Sequence, residues 1–458
     1  GNRIGEISSG EACIKVIDKY IPAGAYKLTV DNVSRLSVGD NIEIRKPVTE
    51  KWIKFMKMDN LVRDGKAQTW IKAGKFLITE RTIAAIDGNI ITLTVPLIDC
   101  YDSNYTDNNT TIVVANNVGR LKQCGVENIR IESPAQAVNH SKALYYALRI
   151  NGEDCWAKDI NAMETMESIG IGGRRITLQQ VNVIRKALHQ GASKPAEFAP
   201  NGGQILLDRC SVEGDNIWFA ALGAGQTGPI VFLNCTFKGN GRIEGHQRWS
   251  TGILLDNCSL PNGGIDFKNR GSMGSGHGWG TAWSVVWNCT AKSYVNQLPP
   301  GTYNWVIGSK GESTPLRRPF NQSGPTLPVG IFDSHNITVT PQSLYLAQLK
   351  ERLGNTALQN IGYGLSEQNP IPKETDYIFQ GGMQADASLR NRDFNAIHEY
   401  MRSLGWDYSE HPNSSKNDHY DGVHCEVLFD ASLQQYVFKF TNHANAGALD
   451  SDRGRLLS

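Results

Sequence analysis

Two short stretches of this chain hold side chains that could do chemistry together. One is Gly245-His246-Gln247-Arg248-Trp249; the other opens with Asn269-Arg270 and runs through a glycine-rich segment carrying His277 to Trp279. Imidazole titrates near neutral pH and can take or give a proton. Arginine offers a planar fork that fits a carboxylate. Tryptophan has a broad apolar face with a polar edge, suited to a sugar ring. Trp218, Trp249, Trp279, Trp283 and Trp287 place half of the ten tryptophans within residues 218–287. The catalytic candidates are therefore His246, Arg248, Arg270 and His277, with Trp218, Gln247, Trp249, Asn269 and Trp279 as substrate contacts. Trp287 lies inside a strand-like run and reads as core. The glycines at 271, 274 and 276 mimic a phosphate loop, but no helix pattern and no Lys-Ser/Thr follows, which excludes nucleotide binding.

Carboxylates supply a competing chemistry. Asp215, Glu244, Asp256 and Asp266 are candidates for a hydrolytic acid/base pair, which needs two carboxyl groups at about 5–5.5 Å or about 6.5–9.5 Å. No cofactor is required by the sequence and no DxDxDG loop occurs, yet separate turns of a repeat could together supply Ca²⁺ ligands. His398, His411, His419 and His424 show no ligand spacing and read as surface residues.

Composition narrows the partners. Forty-six Lys and Arg against 45 Asp and Glu leave +1, so the basic cluster is local and no case exists for nucleic acid or an anionic membrane. With 20% charged and 40% hydrophobic residues the chain is globular. No apolar run approaches the ~18–20 residues of a transmembrane segment. The chain begins Gly1-Asn2-Arg3 without an apolar signal segment, as a processed or engineered terminus would.

An internal repeat must position the candidates. Ile205-Leu206-Leu207-Asp208-Arg209-Cys210-Ser211-Val212 recurs as Ile230 to Phe237, Ile253 to Leu260 and Ser284 to Ala291, each with a cysteine at the same place. Asp154-Cys155 and residues 125–131 and 176–183 extend the pattern back, and residues 331–339 extend it forward. Each unit is two short strands joined at an Asn or Asp bend, with the cysteine and the residue two further on facing inward. Five cysteines then act as small interior hydrophobes. The predicted fold class is all-β: a right-handed parallel β-helix over about 116–340. Counted from Cys235 and Cys258, His246 aligns with Asn269 and Gln247 with Arg270, so His246, Arg248 and Arg270 should meet on one face. The third turn is longer, and a flexible 271–278 loop carrying His277 absorbs the surplus.

The flanks read differently. Residues 1–35 form an opening strand or first turn, and 36–115 an inserted β domain with a hairpin about Asp87-Gly88-Asn89. Residues 341–364 hold a helix from Leu344 ending at Gly354, 365–375 a linker, and 376–458 a small α+β segment with a helix near Phe394–Leu404 and a hairpin from Val423 to Phe440.

The repeated Asn-Cys-Thr/Ser turns, Pro22-Ala23-Gly24 and the His246-Gln247-Arg248-Trp249 and Asn269-Arg270 to Trp279 segments resemble secreted bacterial proteins of the pectate-lyase-like β-helix superfamily over roughly residues 10–350. That superfamily holds lyases, hydrolases, epimerases and non-catalytic binders. The resemblance implies polysaccharide processing outside the cytoplasm: secreted, periplasmic or at the cell surface. The arginine signature of authentic pectate lyases does not carry over residue by residue. The leading expectation is a lyase acting on a uronic-acid-containing polysaccharide, with Arg248 or Arg270 neutralising the carboxylate and His246 or His277 as base. A glycoside hydrolase and a glycan-binding solenoid are the alternatives.

Overall fold

The computed structural model describes residues 4–5, 13–115, 120–137, 146–189, 193–319 and 325–363 in full, and the backbone of three strands within 419–442. Parallel pairing runs without a break from Gly125–Glu132 to Ile331–Asp333. The register stacks Ala157, Leu178, Leu207, Phe232, Leu255, Val286 and Val306 into one interior column. Because strand side chains alternate in direction, the repeated apolar triplet places its outer two residues in this core and its middle one outside. Cys155, Cys210, Cys235, Cys258 and Cys289 are buried in it, as the repeat requires. At the preceding bends Asp154, Asn234, Asn257 and Asn288 have φ of 49–55°, the left-handed conformation that Asn and Asp tolerate best. Asn257 also donates to Asn234 Oδ1 at 2.7 Å, tying one bend to the next.

Trp287 departs from the expectation of burial in the core. It alternates with inward Val286, so its ring lies outside and its Nε1 donates to Pro341 O at 2.9 Å.

The N-terminal residues form an antiparallel sheet of their own. Asn41–Pro47, Phe76–Asp87 and Ile90–Leu93 pair in succession, with the expected turn at Gly88-Asn89. Residues 1–35 were expected to open the solenoid. Within them, however, Ile14–Lys15 pairs with Thr111–Val114 and Lys27–Thr29 with Ile90–Leu93. Val16, Ile21, Leu28 and Val30 complete this sheet's own core. A short helix, Glu50–Phe55, capped by Thr49, packs this region against the solenoid through Trp52 and Ile53.

After the last turn, a helical stretch, Leu344–Asn360, is broken at Gly354, whose φ is 77°. That is where the expected helix ends. Ser343 caps it, with Oγ accepting from Leu346 N at 3.1 Å. By itself, the C-terminal unit shows an antiparallel hairpin of Val423–Asp430 and Gln435–Asn442, matching the expected one. The expected linker at 365–375, the helix near Phe394–Leu404, His398 and His411 lie outside the described residues.

Candidate functional site

Two adjacent strands build the site. Arg242–Gly245 pairs with Ser259–Phe267 so that Arg242 lies opposite Gly264 and Glu244 opposite Asp266. Ile243 and Ile265 point into the core. Strand alternation therefore sends Arg242, Glu244 and His246 outward from one turn, and Asp266 and Lys268 from the next. Gly264 is required here, since a Cβ at that position would stand 2.4 Å from the Arg242 guanidinium.

The register differs by one residue from the cysteine count. Gly239-Asn240-Gly241 separates two strands in one turn, whereas Ser259–Phe267 crosses the corresponding corner unbroken. A one-residue slip exchanges faces. Gln247 and Asn269 are thereby excluded from the wall that holds His246.

His246 and Arg270 do meet. His246 Nδ1 donates to Glu244 Oε1 at 2.5 Å, and Arg270 Nη1 donates to the same oxygen at 2.7 Å and lies 2.5 Å from His246 Nδ1 and 3.0 Å from Nε2. The Arg270 guanidinium sits 5.6 Å from the Trp218 ring, and the Trp218 and His277 rings lie 5.7 and 5.0 Å from the imidazole. Three cations join them that the sequence reading missed. Lys268 contacts Asp266 at 2.5 Å and Glu244 at 3.4 Å; Arg242 forms a bidentate pair with Asp266; Lys194 lies 5.5 Å from the Trp218 ring. For Arg242 and Lys268 the signal was the alternation itself, with charge at 242, 244 and 246 and again at 266, 268 and 270.

Glu244 and Asp266 are wholly buried. Burial pushes the Glu244 carboxyl up, but the His246 hydrogen bond and the charges of Lys268 and Arg270 outweigh it and hold it low. Burial acts the same way on Asp266, and Lys268 and Arg242 hold it low. His277 goes down to about 3, first through burial and then through His246 and Arg270, so it is neutral at ordinary pH. Burial and then Arg242 lower the Lys194 ammonium.

Several expected site residues serve elsewhere. Arg248, at φ 49°, spends its guanidinium on Trp70 O, Gln247 Oε1, and Ser275 O and Oγ. It clamps the 271–278 loop, which also packs on the N-terminal region at Gly276 and Gly278, so the loop is held rather than free. Asn269 is buried, accepting from Gly271 N and bridging to Trp279. Trp249 and Trp279 are 1% and 3% exposed, and their indoles donate to Asp99 and to Met56 O. Trp249 meets Trp52 and Trp70 edge-on, and both indoles are buried in one cluster with them, so no sugar can stack on either.

The remaining carboxylates are structural. Asp215 accepts from Asn240 N and stitches two bends. Asp256 accepts from Ser343 Oγ at 2.8 Å and Tyr345 N at 2.6 Å, holding the first residues of the helix that starts at Leu344 to the solenoid wall. Burial pushes its carboxyl up to about 6. Among the described residues no group of three or more His, Cys, Asp or Glu is placed to hold a metal. Among the candidate carboxylates, Glu244 and Asp266 stand opposite each other but are already neutralised by Lys268, Arg242 and Arg270, which does not fit a Ca²⁺ site.

No protein-family model matches the chain, and no curated protein does. Among solved structures, the chain is similar to the tailspike gp61 of Pseudomonas phage phi297 (11% identity, TM-score 0.28, covering 69% of this chain and 66% of that one). It is also similar to the Gp54 tailspike of Acinetobacter baumannii bacteriophage AP22, solved with capsular saccharide (12%, 0.29, 72% and 63%). A third is the catalytic domain of a GH87 alpha-1,3-glucanase, solved with tetrasaccharides (12%, 0.20, 72% and 64%). The chain spans 63–66% of the length of the structures it matches.

Proposed function

We propose that this chain cleaves a uronic-acid-containing polysaccharide by β-elimination at His246. The observation that carries the reading is the Glu244–His246–Arg270 cluster, a carboxylate-oriented imidazole beside a guanidinium on an outer wall of the solenoid. Elimination needs the uronate carboxylate neutralised, a base for the C5 proton and an acid for the departing glycosidic oxygen. Glu244, accepting from Nδ1, leaves the lone pair on Nε2. In the free protein Arg270 Nη1 lies against both ring nitrogens, 2.5 Å from Nδ1 and 3.0 Å from Nε2. A uronate carboxylate bound by Arg270 and Lys268 draws the guanidinium away, frees Nε2 and acidifies the C5 proton electrostatically. Lys194, its ammonium made more acidic by burial, is the proton donor to the leaving oxygen, and the partly buried Trp218 supports the ring.

Hydrolysis fits this wall less well. Glu244 and Asp266 are both held ionised by bound cations, so neither supplies a proton, and Asp215 and Asp256 are tied into the scaffold.

The test is incubation with a panel of acidic and neutral polysaccharides, following both near-ultraviolet absorbance and new reducing ends. An unsaturated product from an acidic polymer, lost in His246→Ala, is the expected result. Reducing ends without that absorbance, or full turnover by His246→Ala, overturns the reading.

A further inference from the structure

A separate cavity of about 300 Å³ lies between the N-terminal sheet and the solenoid. At its floor Lys46 and Asp99 form an ion pair at 2.9 Å, their side chains 5% and 4% exposed. Asp99 is fully engaged, accepting also from Trp249 Nε1, Trp283 Nε1 and Cys100 N. Lys46 is not. Among the described residues Asp99 is the one hydrogen-bond partner of its Nζ, which otherwise faces the rings of Trp52 at 5.0 Å and Tyr101 at 5.7 Å. An ammonium has three N–H donors, so a buried one beside open volume has donors left for a ligand oxygen.

The walls add faces and acceptors. Trp52, Phe55 and Tyr105 line one side, with Phe55 and Tyr105 at 4.4 Å, while Asp102 and the 56% exposed Tyr20 stand at the rim. Burial raises the Cys100 thiol to about 11, so it carries no charge. Lys46 against Asp99 and Asp102 leaves the cavity one negative charge, which disfavours a carboxylate-bearing ligand. Beyond the rim Tyr303, 47% exposed, stacks on Trp305 at 5.7 Å, with Trp283 beside both, extending the aromatic surface from the adjoining Thr302. Aromatic faces with a few convergent polar groups in a cavity of this size suit a hydroxyl-rich ring.

We propose that this cavity binds a neutral pyranose unit of a polysaccharide, with Lys46 donating to a ring oxygen and Tyr20, Phe55 and Tyr105 packing on the ring. The assignment holds whether or not His246 performs an elimination.

The test titrates the full chain with neutral tetrasaccharides of glucose and of galactose, and with tetragalacturonate, by calorimetry and tryptophan fluorescence. A neutral tetrasaccharide binds saturably. Tyr20→Ala and Phe55→Ala each weaken it about tenfold, the weight of roughly one aromatic contact. His246→Ala leaves that binding unchanged. Tyr20 is exposed enough that its truncation keeps the fold, so the test survives if Phe55→Ala unfolds. The proposal is overturned if no neutral sugar of the panel binds, if Tyr20→Ala binds as the parent does, or if His246→Ala abolishes the binding.

Discussion

His246 donates through Nδ1 to Oε1 of Glu244 at 2.5 Å, two residues earlier on the same outward face. A buried anion that fixes one imidazole nitrogen also decides which nitrogen is free, and the pair acts as one unit. His246→Ala is expected to lower kcat on a uronate polymer by about 10²–10⁴, the usual worth of a positioned general base. Glu244→Gln keeps the shape but removes the charge, and should lower kcat while changing its pH dependence. Unsaturated-product absorbance across pH checks both. A Glu244→Gln variant with parental kcat and pH profile would show that the dyad is not used.

What the sequence could reveal was set by the range of each interaction. The cysteine column and its Asn bends repeat within every turn, so each unit announces its own strand phase, and Glu213 and Lys238, each three residues past its cysteine, lie opposite each other. The meeting of His246 with Arg270 was legible for the same reason. The slip at Gly239-Asn240-Gly241 was not, because nothing local shows that the next turn crosses the same corner with one residue fewer. Burial of Trp249 and Trp279 was invisible too. Their partners Asp99 and Met56 belong to the N-terminal region, 150 and 223 residues away in sequence.

The His277 ring gives a prediction that needs no substrate. Its proton affinity is depressed to about 3, chiefly by burial, so its neutral form is the one folded. Its ring protons should show no titration between about pH 5 and 8. A proton must be taken up on unfolding below the unfolded value of 6.5, so this group lowers stability progressively as pH falls from there toward 3. Nuclear magnetic resonance of the parent and of His277→Gln assigns the signal. A midpoint near 6.5 in the parent would mean that the ring is solvated and not packed beside His246.

Trp249 separates packing from sugar binding. Its Nε1 reaches Asp99, which also holds Lys46, and its ring meets Trp52 and Trp70 edge-on. Trp249→Phe should lower the unfolding temperature and leave KM for a uronate polysaccharide unchanged. Asp99→Ala should cost more, about 3–5 kcal/mol, because it strands a buried ammonium. Thermal unfolding and KM measured on the same samples decide the matter. A raised KM at parental stability would put the indole back among the substrate contacts.

Glu197 should make stability depend on pH through one side chain that takes no part in the proposed chemistry. It is wholly buried, with Oε2 accepting from Ser168 Oγ at 2.5 Å and Ser168 N at 3.2 Å, and Oε1 buried with no hydrogen-bond partner. Burial raises its carboxyl to about 7 against the pull of the Ser168 hydrogen bonds, so the neutral acid is the folded form. A folded value above the unfolded 4.5 means that its contribution is complete below 4.5 and lost as pH rises through 7. The full loss is about 3 kcal/mol. Glu197→Gln keeps an acceptor for Ser168 and removes the ionisation. Urea unfolding of both proteins should therefore show the variant gaining on the parent by about that amount between about pH 5 and 8. A stability difference that stays constant across this range would mean that Glu197 is already ionised in the fold, and that water or a cation reaches its unpaired oxygen.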